Sequence, residues 1–247
     1  MKISHYQTLY TYELEHWWYR VRREIVVQLI RKHSVNSDRR TILDIGCGTG
    51  ALLQALEPFG SVIGVDPSEQ AINFCKKRGI KNLFLESCAH LSFSDNTFDV
   101  VLALDVLEHI DDVHQALQEL LRVTKQGGTV IIFVPAFEFL WSVTDVLSEH
   151  KRRYTKNKLL KDLRDAGFDI VRTSYFNFFL FPPIFLVRMI SRLPVFAMKN
   201  ENIFTRNIWN RFLYLVFHAE GKLLHYTNYP FGVSIMCVAR KKSANVL

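Results

Sequence analysis

Two rhythms of apolar residues alternate along the chain. Short aliphatic runs such as Ile42-Leu43, Val62-Ile63 and Val100-Val101-Leu102 read as buried strands, and the stretches between them carry the three-to-four spacing of amphipathic helices. The pattern predicts a helical segment over 6–33, then strand 41–45, helix 49–58, strand 61–66, helix 68–78 and strand 83–86. Strand 98–104, helix 112–123 and strand 129–134 follow, then helix 155–166 closed by Gly167, strand 168–175 and a last strand over 232–240. Strands that alternate with helices imply an α/β fold, a mostly parallel sheet with helices on both faces. Between the last two strands lie 56 residues, 176–231, far more than a hairpin needs. Their apolar residues keep helical spacing through Trp209, Phe212, Leu213, Val216 and Phe217, which predicts a helical insertion.

The segment Ile42-Leu43-Asp44-Ile45-Gly46-Cys47-Gly48-Thr49-Gly50 is a strand running into a glycine turn and a helix. Glycines at alternate positions let the backbone take left-handed angles and approach a ligand closely. In open α/β sheets, ligands bind at the carboxyl ends of the strands. Asp66 ends the next strand, and an acid roughly 20 residues past the glycine turn is placed to hydrogen-bond ribose hydroxyls. The dinucleotide fingerprint G-x-G-x-x-G differs from the G-x-G-x-G found here, and Asp44 would repel a pyrophosphate. A carboxylate there suits a cation. S-Adenosylmethionine carries an ammonium, a sulfonium and a ribose but no phosphate, so the motif fits it better than a dinucleotide.

Residues 41–135 resemble the class I S-adenosylmethionine-dependent methyltransferases of the broad type 11/12 group. The resemblance is carried by LDIGCGTG (43–50), VIGVDPS (62–68), FDVVLALDVLEHIDD (98–112) and LLRVTKQGGTVIIFVP (120–135). It implies a Rossmann-like seven-stranded sheet whose last strand is antiparallel. It also implies donor contacts from Asp44 to the ammonium, Gly46, Cys47, Gly48 and Gly50 along the backbone, Asp66 to the ribose, and Pro67 with Ser68 at the adenine edge. Relatives often carry Gly-Asp-Ala where this chain has Ser87-Cys88-Ala89, so the acidic adenine contact is replaced at Cys88 beside Ala89. Leu104 and Asp105 are expected along the methionine part. The stretch Asp105-Val106-Leu107-Glu108-His109 also resembles the E-x-x-E-H metal site of some ubiquinone-pathway methyltransferases, with Asp105 for the first Glu. The same tail caps a helix in relatives without a metal, and no metal is assigned.

For the acceptor, the informative segment is Trp141, Asp145 and His150-Lys151-Arg152-Arg153-Tyr154, which follows the fifth strand and resembles one branch of the group. His150 is the candidate general base with Asp145 behind it, and His109 is a further catalytic candidate. Trp141, Arg152, Arg153 and Tyr154 are expected to meet the acceptor, since arginine pairs bidentately with oxyanions. His16, Trp17 and Tyr19 are expected to close over the site. The competing readings are a loop whose arginines pair with neighbouring acids, and an aromatic cluster that only packs.

Composition narrows the partners. Net charge is +7, but residues 151–247 hold 17 basic and 5 acidic residues, so the positive excess lies in the carboxyl-terminal part. Anionic membrane and nucleic acid are the candidates such an excess raises. Nucleic acid is disfavoured, because the chain has no N-P-P-[YFW] motif and no Pro-Cys pair. The four cysteines show no C-x-x-C spacing and the amino terminus lacks a signal-peptide pattern, which points to a cytoplasmic protein. The stretch Phe178–Val187 gives only ten apolar residues, against roughly 20 for a bilayer span. The expected organisation is an amino-terminal helical cap (1–40), a methyltransferase core (41–175 plus 232–247) and an aromatic insertion (176–231) acting as lid, dimer interface or membrane-surface element. The expected function is in-line methyl transfer to a small-molecule, lipid or glycan acceptor, anionic and membrane-proximal on the charge reading. The alternative is a non-catalytic protein that binds donor or lipid and acts through the insertion.

Overall fold

The computed structural model describes residues 3–34, 40–191 and 207–242. In chain order it forms α1 (Ile3–Tyr12), α2 (Trp17–His33), β1 (Arg40–Ile45), α3 (Ala51–Leu56), β2 (Gly60–Val65), α4 (Glu69–Lys77) and β3 (Leu83–Phe84). Then come β4 (Phe98–Leu104), α5 (Val113–Val123), β5 (Thr124–Pro135), α6 (Val143–Leu147), α7 (Lys156–Asp165), β6 (Phe168–Phe176), α8 (Phe181–Ile190), α9 (Asn207–Leu224) and β7 (Ser234–Lys241). Seven strands lie in the order β3-β2-β1-β4-β5-β7-β6, and β7 runs antiparallel to both its neighbours. The chain leaves β3 at one edge and returns as β4 beside β1, so the order reverses between β1 and β4. That reversal opens the crevice in which such sheets bind ligands.

The central strands are apolar on both faces because helices cover both. Val130, Ile131, Ile132, Phe133 and Val134 of β5 are all fully buried. Hydroxyl and carboxylate caps start the helices that flank the sheet: Ser68 accepts from Ala71 N on α4, Asp112 from Gln115 N on α5, and Thr155 from Lys158 N on α7. Gly167, at φ 100°, ends α7 in the left-handed conformation expected of it.

Three elements depart from the periodicity. The helix expected over 6–33 is two helices, α1 and α2. His16 is extended (φ −67°, ψ 130°) and its ring caps α2 at Trp18 N, while Trp17 N donates to Asn210 Oδ1 of α9 at 2.8 Å. A partner 193 residues away thus fixes the break. β5 starts at Thr124, five residues before the aliphatic run, and its pairing with β4 shifts register between Phe98 and Val100. α6 is an added short helix, held by a capping box in which Ser142 and Asp145 satisfy each other's backbone N–H.

The insertion is anchored through aromatic packing. Phe217 of α9 is fully buried, stacked on Trp18 at 5.6 Å, edge-on to Trp17 at 5.8 Å and parallel to Phe176 at 6.3 Å. α9 thereby packs along α2 and reaches the end of β6. The expected cap and insertion also include residues 35–39 and 192–206, which lie outside the described residues. Phe217→Ala should cost about 3–5 kcal/mol of unfolding free energy, the usual range for emptying a buried phenylalanine site. Phe212→Ala, at a half-exposed position, should cost far less. Urea unfolding of the two variants checks this contrast.

Candidate active site

The expected donor residues converge because the glycine turn wraps the end of β1. Gly46, Gly48 and Gly50 all have positive φ (68°, 57° and 89°). At Gly46 a Cβ would lie 2.7 Å from Val106 Cγ2, so a side chain there would collide with the segment after β4. Gly46 N and Cys47 N donate to Val65 O, and Gly48 N donates to Asp66 Oδ2 at 3.0 Å. Asp66 Oδ1 accepts from Ser68 N at 2.9 Å. The acid of β2 is thus built into the turn and stays buried at 5% exposure.

Asp44 is 3% exposed, and its strongest neighbours, Asp66 and Glu13, are acids. Burial first, and those two charges second, push its carboxyl up to about 8. Glu13, at the end of α1, accepts from Thr49 Oγ1 and from Arg78 Nη2. Arg78 also donates to Thr49 O at 2.7 Å. These bonds staple the amino-terminal segment onto the glycine turn, and Tyr6 and Leu9 of α1 line the same space.

That space is one cavity of about 1040 Å³. Asp44, Gly46, Cys47, Gly48, Asp66, Pro67, Cys88, Leu104 and Asp105 line its donor side. His16, Trp17, Tyr19, His109, Asp145, His150 and Arg153 line it as well, so the amino-terminal and post-β5 segments meet in one chamber. Six expected site residues do not line it, Ser68 among them, which caps α4 and donates its N–H to Asp66. Gly50 faces α4 and the segment after it instead, where a Cβ would lie 3.0 Å from Cys75 Sγ and 2.6 Å from Ile80 Cδ1. Ala89 is turned to α5, its carbonyl accepting from Gln115 Nε2. Trp141 ends a 3₁₀ turn over Glu138–Leu140. Arg152 reaches outward to Asp111 O at 3.3 Å. Tyr154 is core: it is 1% exposed, bridges to Ala136, and its hydroxyl donates to Leu107 O.

Asp145 organises the wall formed after β5. Its Oδ1 takes Arg153 Nε at 2.8 Å and His150 Nδ1 at 2.8 Å, while Oδ2 takes Arg153 Nη2 at 2.9 Å and Ser142 N at 2.8 Å. Burial alone would raise this carboxyl, but the bonds from His150 and Arg153 prevail and hold it well below the usual carboxylate range. An ionised Asp145 only accepts, so His150 Nδ1 carries the proton and Nε2 is left toward Glu108 Oε1, 4.0 Å away. His109 packs edge-on to His150, ring centroids 4.8 Å apart, and burial lowers it to about 4. Glu108 is fully buried, neither of its carboxylate oxygens has a hydrogen-bond partner, and burial with Asp105 nearby raises it well above the usual range. Among the described residues, Glu108, His109 and His150 bring ligand atoms within 4.8 Å of one another, near enough to share a cation.

Sequence reading missed Arg22. It is buried in the apolar stripe of α2, lies over the Trp18, Phe133 and Phe176 rings, and pairs with Asp105 Oδ2 at 2.5 Å. Its spacing in α2 marks it as a core position, which is why periodicity hides it. Asp105 meets it with a left-handed backbone, φ 56°. The cations near the cavity are already engaged: Arg153 with Asp145, Arg22 with Asp105, and Lys151 with Asp111 at 2.5 Å. A free arginine cluster for an anionic acceptor, as the charge pattern suggested, is therefore not formed by these residues.

A methyltransferase-domain family matches residues 43–132. An uncharacterized protein of Methanocaldococcus jannaschii is 31% identical over 186 residues, 72% of this chain and 79% of that one. The ubiquinone biosynthesis O-methyltransferase of Rickettsia felis is 32% identical over 117 residues, 45% of this chain and 48% of its own, so the chain spans about half of that relative. Among solved structures, a methyltransferase in complex with the Haloferax volcanii Trm112 activator shares the fold with TM-score 0.63 at 18% identity, covering 99% of this chain and 96% of that one. The chain belongs to the class I S-adenosylmethionine-dependent methyltransferases, type 11 group, and S-adenosylmethionine is its cofactor.

The raised Asp44 carboxyl has a consequence for stability. Unfolded, it titrates near ~3.9; folded and without donor, it titrates at about 8. Folding therefore takes up a proton between those values, and the stability of the donor-free protein falls as pH rises through that window. Asp44→Asn should flatten the slope by about 1.4 kcal/mol per pH unit. Urea midpoints of both proteins across the window measure it; identical slopes would mean that Asp44 is ionised in the empty site.

Proposed function

We propose that this chain transfers a methyl group from S-adenosylmethionine to a hydroxyl of an amphiphilic acceptor, a lipid or lipid-linked glycan. The observation that carries the reading is the shape of the cavity. Its inner end is acidic at Asp44 and Asp66, its wall presents His150 Nε2, and its outer part is lined by Leu180, Pro183, Ile184, Val187, Phe212 and Leu213. An apolar entrance of that length suits an acceptor with an apolar body better than a free sugar or nucleotide.

The donor is already activated, so alignment of oxygen, methyl and sulfur supplies most of the rate, worth about 7–11 kcal/mol. In this reading Asp44 takes the ammonium, Asp66 the ribose and Arg22 the methionine carboxylate, which needs a cation at that end. Donor binding then relieves the cost of the uncompensated Asp44. An alcohol is a poor nucleophile at neutral pH, so a base is needed. His150 is that base, with Asp145 fixing its tautomer and accepting from Nδ1. His109, neutral and packed on His150, shapes the wall. The ubiquinone relative methylates oxygen by its name, which favours a hydroxyl acceptor here.

Radiolabelled methyl from S-adenosylmethionine should enter an organic-extractable lipid fraction; label recovered only in water-soluble products would sink the lipid reading. His150→Gln should slow that transfer by about 10²–10⁴-fold while donor affinity by calorimetry stays unchanged. Chelation with EDTA should leave the wild-type rate intact. Arg22→Met should weaken S-adenosylmethionine about tenfold or more, the worth of a charge-assisted hydrogen bond. It should leave 5′-methylthioadenosine, which lacks the carboxylate, bound as before; equal losses for both ligands would remove Arg22 from the carboxylate site.

A further inference from the structure

The solvent side of α9 is apolar where a surface helix is ordinarily polar. Ile208, Phe212 and Leu215 follow one another along one face at 78%, 55% and 55% exposure, with Trp209 beside them at 50%. Leu186 and Ile190 of α8 add 58% and 48%. An exposed apolar surface of this kind marks an interaction site. We propose that the outer faces of α8 and α9 dock this enzyme onto an anionic lipid bilayer, with the cavity mouth turned to the lipid; the acceptor class rests on the reading given under Proposed function.

Three observations select a bilayer as the occupant. First, charge is complementary: α9 exposes Arg211 and Lys222, and its one acid, Glu220, is fully buried and accepts from Phe179 N, so it does not offset them. Juxtamembrane basic residues gain about 1 kcal/mol each near anionic lipid. Second, no helix among the described residues is long and apolar enough to cross a membrane. Helices of this kind lie in the interface, apolar face inward and cations at the headgroups. Third, Trp209 and Phe212 are half exposed and also line the cavity. The mouth therefore opens on the apolar surface, and an amphiphile can pass from bilayer to site without exposing its apolar part to water. A second copy fits less well. A two-fold interface brings the same basic surface against itself, and it would cover the mouth.

Vesicles of phosphatidylglycerol with brominated acyl chains test this directly on the wild type. Tryptophan fluorescence should be quenched, and Trp209→Phe should remove most of the quenching. Vesicles of neutral phosphatidylcholine should bind at least tenfold more weakly, and so should the triple variant Ile208→Ser/Phe212→Ser/Leu215→Ser on anionic vesicles. Calorimetry with S-adenosylmethionine reports whether the triple variant is folded. The proposal is overturned if the wild type shows no quenching by the anionic vesicles, or if Trp209→Phe is quenched as strongly as wild type. It is also overturned if sedimentation shows a dimer that the triple variant dissociates and vesicles do not bind. Vesicle binding without methyl transfer into lipid would uphold the docking surface and reject the acceptor reading instead.

Discussion

The site is organised around a carboxylate that the empty fold leaves uncompensated. β1 sits where strand order reverses, so its end faces the crevice, and the sequence puts Asp44 there. Its nearest charges are two more acids, Asp66 and Glu13. A buried acid with acidic neighbours holds its proton or waits for a cation. The rest of the donor side follows from that choice. Val106 leaves no room for a side chain at Gly46, Asp66 is tied into the turn by Gly48 N, and Glu13 is brought in by Arg78 and Thr49. A phosphate would meet three acids. A sulfonium amino acid meets the charge it lacks.

Three buried acids, Asp44 and Asp145 in the lining of the chamber and Glu108 behind it, are shifted in opposite directions by their surroundings. Asp44 is raised by burial and repulsion. Glu108 is also raised, by burial and by Asp105, with neither oxygen hydrogen-bonded. Asp145 is held ionised by His150 and Arg153. Environments that push carboxyls apart in this way assign different work to chemically similar groups. Asp145 is fully paired, and one of its bonds fixes the orientation of the His150 ring. Arg153 supplies the opposite charge that makes Asp145 a fixed acceptor.

How much of this was legible depended on the range of the interactions. Strand and helix positions in the core follow from local periodicity, and the donor side follows from a motif whose parts lie within 25 residues. The break between α1 and α2 was not legible, because the group that accepts from Trp17 N is on α9. Gly50 and Tyr154 stand inside recognisable motifs, yet sheet and helix packing claims them: Gly50 for contact with α4, Tyr154 for the core beneath β5. Charge counting suggested a basic acceptor site, but pairing decides what a cation does, and pairing is a property of the fold. Arg22 is the converse. Its place in an apolar stripe conceals a guanidinium that three aromatic rings hold against Asp105 at the cavity wall.

The insertion and the amino-terminal helices are distant in sequence but act on one element. Asn210 accepts from Trp17 N and donates to Glu15 O, Tyr214 and His218 reach Glu24, and Phe217 stacks on Trp18. All of these contacts fall on α2 or the turn before it. α2 also carries Arg22 toward Asp105, and the turn before it carries Glu13 toward the glycine loop. α9 brings Trp209, Phe212 and Leu213 to the same cavity that α2 lines with Trp17, Tyr19 and Arg22. The packing of α2 against α9 thus fixes, in one unit, residues that line the cavity from both distant parts of the sequence.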